Sequence, residues 1–455
     1  MEDQSTRPLP RPGLRDHLRL LRRITPDPQP VLDELRERYG PVCQIGAGPV
    51  RGAVVGSATA VGELLHRPVE EFRWGHKFNV LGFVVGDGSM IVSDGTDHRR
   101  RRGAVQPAFG RRRLEEWIPM IVERTDAAVA RLDDGPADLY PFGRDLVFDV
   151  AVRAFFGAAL AGRIPELAQR FETAQAYLES PAYRQIPHPF PFTARSRVRA
   201  DRTAIDRILD DEIRRLRDAG SVTDEPADVL ETLVRDGSLA DDEIRDQVVT
   251  LIGAGYHTTA ASLAWTLWRA LLEPGLWSAL RAETDHVLAD RAPADLDAGS
   301  LAKLDLADRV VREALRLHPA GVVSPRESAV DLDIAGHIIP ARTLVLWSPH
   351  LAGRDPEVWP DPLRFDPERW RTPAEEQRRA GDAAWVPFGR PPRNCIGFAF
   401  AHMELVLIVS RLAQRLDINT PDGQIPAPHG MVVNRPTGGL PVTLHHRRPD
   451  VGNES

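Results

Sequence analysis

At 455 residues and a formal net charge of −7, the chain can bury a core large enough to enclose a cofactor. Its mild acidity points away from a nucleic-acid binder or a membrane-surface protein. Its two cysteines, Cys43 and Cys395, make no disulfide framework and leave a reducing cytoplasm as the default setting.

Length alone suggests about three domains, yet no low-complexity linker or internal repeat divides the chain. One helix-rich domain over 31–446 with a smaller sheet-rich portion is expected. A Pro- and Arg-rich lead segment (1–30) precedes it, and a disordered polar tail (447–455) follows. The lead segment has no apolar run of signal-peptide or membrane-span length, so no membrane anchor is expected.

Val31 to Tyr39 has a helical pattern that stops at Gly40-Pro41. Val42, Gln44 and Ile45 then form a short strand, Arg51–Val55 its hairpin partner and Ala58–Leu65 a helix. From Phe72 to Ile91, residues such as Phe78, Leu81, Phe83 and Val84 are broken by glycines without a clean period, which suggests a mobile apolar loop. Asp97-His98-Arg99-Arg100-Arg101-Arg102 opens the next helix, with His98 and Arg102 on one face at i and i+4. A solvated helix face is the plain alternative. Helical patterns follow over Leu114–Arg131, Gly143–Phe156, Pro165–Tyr177 and Ser196–Asp218, with a Pro- and aromatic-rich loop over Ser180–Thr193.

Asp242 to Leu272 forms an apolar helix of about 30 residues, roughly 45 Å long, which must run through a core. Its middle reads Gly253-Ala254-Gly255-Tyr256-His257-Thr258-Thr259. Each Gly costs about 1 kcal/mol there relative to Ala, so the small residues let something approach the backbone. Glu313 and Arg316 lie at i and i+3 on one face of a later helix. Strand-like pieces follow at Leu332–Ile334 and Leu344–Trp347. Near the end, Cys395 closes a loop rich in Gly, Pro and Arg, directly before an apolar helical pattern. Amides at a helix start and the guanidinium groups of Arg390 and Arg393 would lower its pKa and favour a metal-binding thiolate. An inert buried cysteine is the alternative.

The loop containing Phe388-Gly389, Arg393, Cys395, Ile396 and Gly397 resembles the haem-binding loop of the cytochrome P450 haem-thiolate monooxygenases. Three further motifs follow that family's order: His98-x-x-x-Arg102, Ala254-Gly255 with Thr258, and Glu313-x-x-Arg316 joined by Arg369. The resemblance spans nearly the whole chain and implies a mainly α fold with a smaller β-sheet portion (α+β). It implies haem b (iron protoporphyrin IX) with Cys395 as the axial ligand of the iron. Phe388, Arg393 and Gly397 would frame the haem, and His98, Arg102 and Arg326 would hold its propionates. Ala254 and Gly255 would lie over the oxygen-binding face, where family members have a distorted helix, and Thr258 would steer protons. His257 stands where most members have Asp or Glu. Sterol-demethylating members also have His there, and it would either relay protons or be a surface-facing bystander. Thr258 has the same two readings, a relay or a hydroxyl that only packs or bonds back to its helix.

Phe78, Leu81, Phe83, Val84, Ile252, Val322, Val323 and Val432 would line an apolar substrate pocket, whereas Glu313, Arg316 and Arg369 would brace the Cys loop. Two positions depart from the family pattern: Pro391 replaces a Gly four residues before the Cys, and Gly353 replaces an Asn. The resemblance implies a cytoplasmic monomer that uses dioxygen to hydroxylate or epoxidise a hydrophobic molecule such as a terpenoid, fatty acyl chain, sterol or polyketide, in secondary metabolism. Ferredoxin and ferredoxin reductase would supply electrons, and the arginines left over in the run would face an acidic donor. Coupling, cyclisation, rearrangement or peroxide-driven chemistry is the alternative that His257 raises. A haem-based sensor or binding protein would need an output domain that the sequence does not show.

Overall fold

The long apolar pattern forms one uninterrupted α-helix, Asp241–Leu272, in a computed structural model that describes residues 8–24, 28–46, 51–74, 80–157, 159–220, 226–289, 291–371, 381, 383–420 and 423–447. Three acidic residues, Asp241, Asp242 and Glu243, occupy its first turn, where the helix dipole favours negative charge. Glu243 also receives Arg100 (2.5 Å) and Arg101 (2.9 Å). Hydrogen bonding from Arg100 is the main reason its carboxyl falls to about 2. Arg100 and Arg101 of the arginine run therefore fasten helix Gly95–Val105 to the start of the long helix, which leaves Arg99 exposed without that tie.

The long helix is buried nearly all round, down to Trp265 and Leu267 at 0% exposure. Helices Arg111–Val129, Leu139–Phe156 and Phe398–Arg415 contribute to the same apolar core. The sheet-rich portion is a five-stranded mixed sheet in the order Val42–Ile45, Gly52–Val55, Leu344–Trp347, Ser324–Ser328, Phe72–Arg73. Its second and third strands run parallel, and all other neighbours run antiparallel. Arg326 lies in the fourth strand, a strand that side-chain patterning left as irregular because Ser-Pro-Arg-Glu-Ser carries no apolar alternation.

Several expected elements are extended or replaced. The lead segment contains helix Leu14–Ile24, whose Leu20 packs with Leu32, Leu35 and Cys43, so part of it belongs to the core. The loop expected over Phe72–Ile91 holds helix Val80–Val85, because Phe83, Val84 and Val85 bury against Tyr177 and Val198. Ser180–Thr193 is irregular apart from Ala182–Gln185. Strands Gly135–Asp138, Leu416–Asn419 and Pro441–His446 form a separate sheet that the sequence pattern did not reveal. The expected tail lies outside the described residues from 448 onward.

Beneath the Cys loop, Glu313 and Arg316 are fully buried. Arg316 donates to both Glu313 oxygens at 2.9 and 2.8 Å, and to the carbonyls of Gly353, Pro362 and Arg364. Arg369, Trp370 and the Asp366 amide complete the carboxylate's shell. Gly353 is required by this packing, since a Cβ there would lie 2.4 Å from the Arg316 carbonyl oxygen. Glu313→Ala would leave a guanidinium buried without its counter-charge. The expected loss is about 3–5 kcal/mol of unfolding free energy in urea titration, and a change within 1 kcal/mol would show that the network does not brace the fold.

Candidate functional site

Cys395 faces a cavity of about 530 Å³ between the Cys loop, the long helix and the edge of the five-stranded sheet. Its amide donates to the Phe388 carbonyl at 2.8 Å, which closes the loop. The tight turn falls on Gly389 at φ +69, so Pro391 is accommodated without a glycine at its own position; the Pro391–Pro392 bond is cis. Helix Phe398–Arg415 begins two residues after the N-cap's preceding Ile396, and the Gly397 amide hydrogen-bonds the thiol. Burial nonetheless pushes the Cys395 thiol up, outweighing the Gly397 amide and the Arg102 guanidinium that pull it down. The cation that acts on the thiol is thus Arg102 rather than Arg390 or Arg393, and a bound metal ion would supply the further pull toward thiolate.

Of the residues singled out in the sequence, Leu81, His98, Arg102, Ala254, Gly255, Thr258, Val323, Arg326, Phe388, Arg393, Cys395 and Gly397 line this one cavity. Across it from Cys395, Ala254 is exposed to the space and Gly255 has nothing within 4 Å of a would-be Cβ. The helix stays regular here, since small side chains alone open the groove. Thr258 Oγ1 donates back to the Ala254 carbonyl at 2.7 Å, with the Gly255 carbonyl at 3.1 Å.

Positive charge gathers at one end. Arg102 donates to the Asn394 carbonyl and side chain at 2.9 and 3.0 Å. Arg393 reaches the Ser93 carbonyl and Asp94 and lies 3.9 Å from the Trp74 ring centroid. Arg326 is 7% exposed, lies over Phe72 and Trp74, and has a buried Nε with no hydrogen-bond partner. Burial, then repulsion from Arg393, lowers Arg326 to about 9. Burial, then Arg393, Arg102 and Arg99, lowers His98 to about 4. Cations that depress one another in this way, with Asp94 the carboxylate paired among them, form a site for a multiply anionic group. An open thiol, a flat groove under Gly255 and this cationic edge fit a haem carrying two propionates.

Other expected residues lie elsewhere. Ile252 is turned away, and Leu251 takes its place on the cavity wall, one turn before Gly255 and two before Thr258. That i, i+4, i+7 series was available in the sequence. Phe83 and Val84 pack against Tyr177, Val322 is buried behind the sheet, and Val432 is 38% exposed on the surface. Phe78 lies outside the described residues. Thr250 lines the cavity without having been singled out, and Phe400 and Glu404, from the helix after Cys395, line it too. Glu404, wholly buried, has its carboxyl pushed well above the usual range by desolvation.

His257 points away from the cavity, 3.9 Å from the Tyr256 ring and 3.7 Å from Glu172. The cavity-facing stripe of this helix runs through Leu251, Ala254, Gly255, Thr258, Thr259 and Ser262, and His257 falls outside it. No protein group among the described residues hydrogen-bonds either ring nitrogen. Burial, reinforced by Arg435 and Arg144, lowers His257 to about 3, so it is neutral near pH 7.

With this geometry, the chain belongs to the cytochrome P450 family, whose model matches residues 9–441. It is 33% identical to the putative cytochrome P450 139 of Mycobacterium tuberculosis over 77% of this chain and 82% of that one. It is 30% identical to the cyclooctat-9-en-7-ol 5-monooxygenase of Streptomyces melanosporofaciens over 83% and 82%. The retinoic acid-bound cyanobacterial CYP120A1 superimposes with a TM-score of 0.82 at 26% identity, covering 91% of this chain and 94% of that one. The protein is a cytochrome P450 monooxygenase with a haem-thiolate cofactor, acting on a small molecule with oxygen. No helix among the described residues is long and apolar enough to cross a membrane.

The His257 assignment has a pH consequence. Its folded pKa of about 3 lies below the ordinary 6.5, so the native chain binds fewer protons than the unfolded chain between those values. Stability contributed above pH 6.5 is therefore lost as pH falls toward 3. His257→Asn should flatten the acid limb of unfolding free energy against pH relative to the parent, and identical slopes would contradict a buried neutral imidazole.

Proposed function

We propose that Cys395 is the thiolate ligand of haem b, within a single domain that takes in helix Leu14–Ile24 together with 31–446, and that the chain hydroxylates or epoxidises an isoprenoid. The observation that carries this is the convergence of an open thiol, unbalanced buried cations and the Gly255–Thr258 face on one cavity. When bound, the haem supplies reductive activation of dioxygen, which its thiolate ligation favours.

The chain's own residues have separate tasks. His98, Arg102, Arg326 and Arg393 would hold the propionates, whose carboxylates would relieve the repulsion among the three arginines while His98 hydrogen-bonds as a neutral imidazole. Phe388 and Gly397 frame the ring on the Cys395 side. The Thr258 hydroxyl, held by the carbonyls of Ala254 and Gly255, positions a donatable proton at the cavity edge. Leu81, Leu251 and Val323 exclude water and orient an apolar substrate. Names of two similar proteins, a cyclooctat-9-en-7-ol monooxygenase and a retinoic acid complex, support the isoprenoid class. Ferredoxin and ferredoxin reductase supply the electrons to a monomer, with exposed Arg99 suited to an acidic donor. The coupling alternative drew on His257, and an imidazole turned from the cavity gives it no support.

The reduced protein's difference spectrum with carbon monoxide tests the ligand. A thiolate-type Soret band is expected for the parent and its loss for Cys395→Ser; an unchanged band in the variant would sink the assignment. Thr258→Ala should divert reducing equivalents to peroxide while leaving that band intact, and undiminished coupling to product would count against the proton role. Arg326→Leu should speed haem loss to apomyoglobin, as one propionate contact disappears.

A further inference from the structure

Between helices Val80–Val85 and Gly95–Val105 the chain crosses the cavity edge as a short strap, 86–94. Met90, Ile91 and Val92 of the strap line the cavity. Its own backbone bonds are weak, with Val92 to Ser89 and Ser93 to Met90 both at 3.4 Å. Its position is therefore set by side chains that reach it from other elements.

The long helix supplies most of them. Gln247, near its start, is 0% exposed. Its Oε1 accepts the Met90 amide at 2.8 Å, and its Nε2 donates to the Gly88 carbonyl at 2.6 Å and to the Glu243 carbonyl at 2.9 Å. The oxygen and the NH2 group are both engaged, which fixes how the side-chain amide is turned. Asp246 accepts the Gly88 amide at 2.8 Å, and a Cβ on Gly86, at φ +96, would lie 2.1 Å from its carboxyl. Thr250 donates to Ser89 Oγ at 2.6 Å.

The far side of the strap meets the cationic edge. Arg393 donates to the Ser93 carbonyl at 2.6 Å and to the Met90 carbonyl at 3.4 Å. Met90 thus has its amide on Gln247 and its carbonyl on Arg393, so a displacement of this one residue moves an apolar wall and a guanidinium together. Water can replace a lost bond at Asp246, whose side chain is 13% exposed. It cannot do so at Gln247, where the Met90 amide and Gly88 carbonyl would be left buried and unpaired.

We propose that Gln247 is a positioning residue of the monooxygenase, which sets the Met90–Val92 wall against the substrate and Arg393 against the haem edge. The proposal rests on the reading that haem fills this cavity. Gln247 touches neither group and acts through the strap. A residue that only braced the fold would cost stability and leave the haem's properties as they were. A positioning residue changes both.

Gln247→Met keeps the length of the side chain and removes its strap bonds. Thr284→Val is the control, because it removes a buried hydroxyl that donates to the Leu280 carbonyl in helix Leu276–Leu288, away from the cavity wall. Two readouts are taken on the haem-loaded proteins. The first is the dissociation constant of 4-phenylimidazole divided by that of imidazole, since both seek the iron but only the phenyl ring meets the wall. Gln247→Met should raise this ratio about tenfold, and Thr284→Val should not. The second is the haem reduction potential. A cation at the haem edge favours the less positive, reduced iron, so a loosened Arg393 should lower the potential in Gln247→Met alone. Ser89→Ala, which removes only the Thr250 tie, should shift both readouts in the same directions by less and serves where Gln247→Met does not fold. Parent-like values in Gln247→Met and Ser89→Ala, or equal shifts in Thr284→Val, would overturn the proposal. Both readouts are made whatever ligand holds the iron, so a missing thiolate band in the parent would strike the Cys395 assignment without deciding this one.

Discussion

Arg102, Arg326 and Arg393 crowd one edge of a buried cavity with Asp94 as the carboxylate paired among them. Such an imbalance raises the free energy of the fold, and, after burial as the larger cause, repulsion among the cations adds to the depressed pKa of Arg326, Arg393 and His98. The aromatic wall of Phe72, Trp74 and Trp347 makes it tolerable by giving the Arg326 guanidinium π faces in place of water. The residual imbalance is binding energy held for an anionic ligand edge. Apo protein should therefore be the less stable form, because anything that binds only the folded chain stabilises it by mass action.

The rest of the architecture keeps that edge and Cys395 in register. The thiol comes from the loop before helix Phe398–Arg415, the cations from helix Gly95–Val105, a sheet strand and the Cys loop, and the open groove from the long helix. Apart from Arg393 and Cys395, which share one loop, these lie far apart in sequence. Their alignment depends on cross-links such as Arg102 to Asn394, Arg393 to Ser93 and the Glu313–Arg316 network under the loop. These links are polar, and most end on backbone carbonyls. Directional bonds to backbone fix position more sharply than apolar packing, which tolerates sliding.

How much of this was legible follows from the range of each signal. Cys395, the His98/Arg102 pair and the Gly255/Thr258 face were readable because each is a local spacing on one loop or one helix face. The long helix was readable because its apolar pattern runs for some thirty residues. The pocket wall was harder. Ile252 and Leu251 are adjacent and chemically alike, and only helical phase relative to Gly255 separates them. Phe83 and Val84 are apolar for a different reason, to seat their helix on Tyr177. The strand holding Arg326 had no pattern because its stability comes from neighbours distant in sequence. The tail-proximal sheet was missed on the same ground.

His257 shows why a matched position is weaker evidence than a matched face. Its place in the chain suggested a partner for Thr258, but a single step along the helix turns it toward Tyr256 and Glu172 instead. Desolvation there removes its charge across the pH range in which His ordinarily titrates. A neutral imidazole can still pass protons, but only along a path on its own side of the helix. Thr258 lines the cavity and bonds back to the Ala254 carbonyl, so the two neighbouring side chains do not share one path.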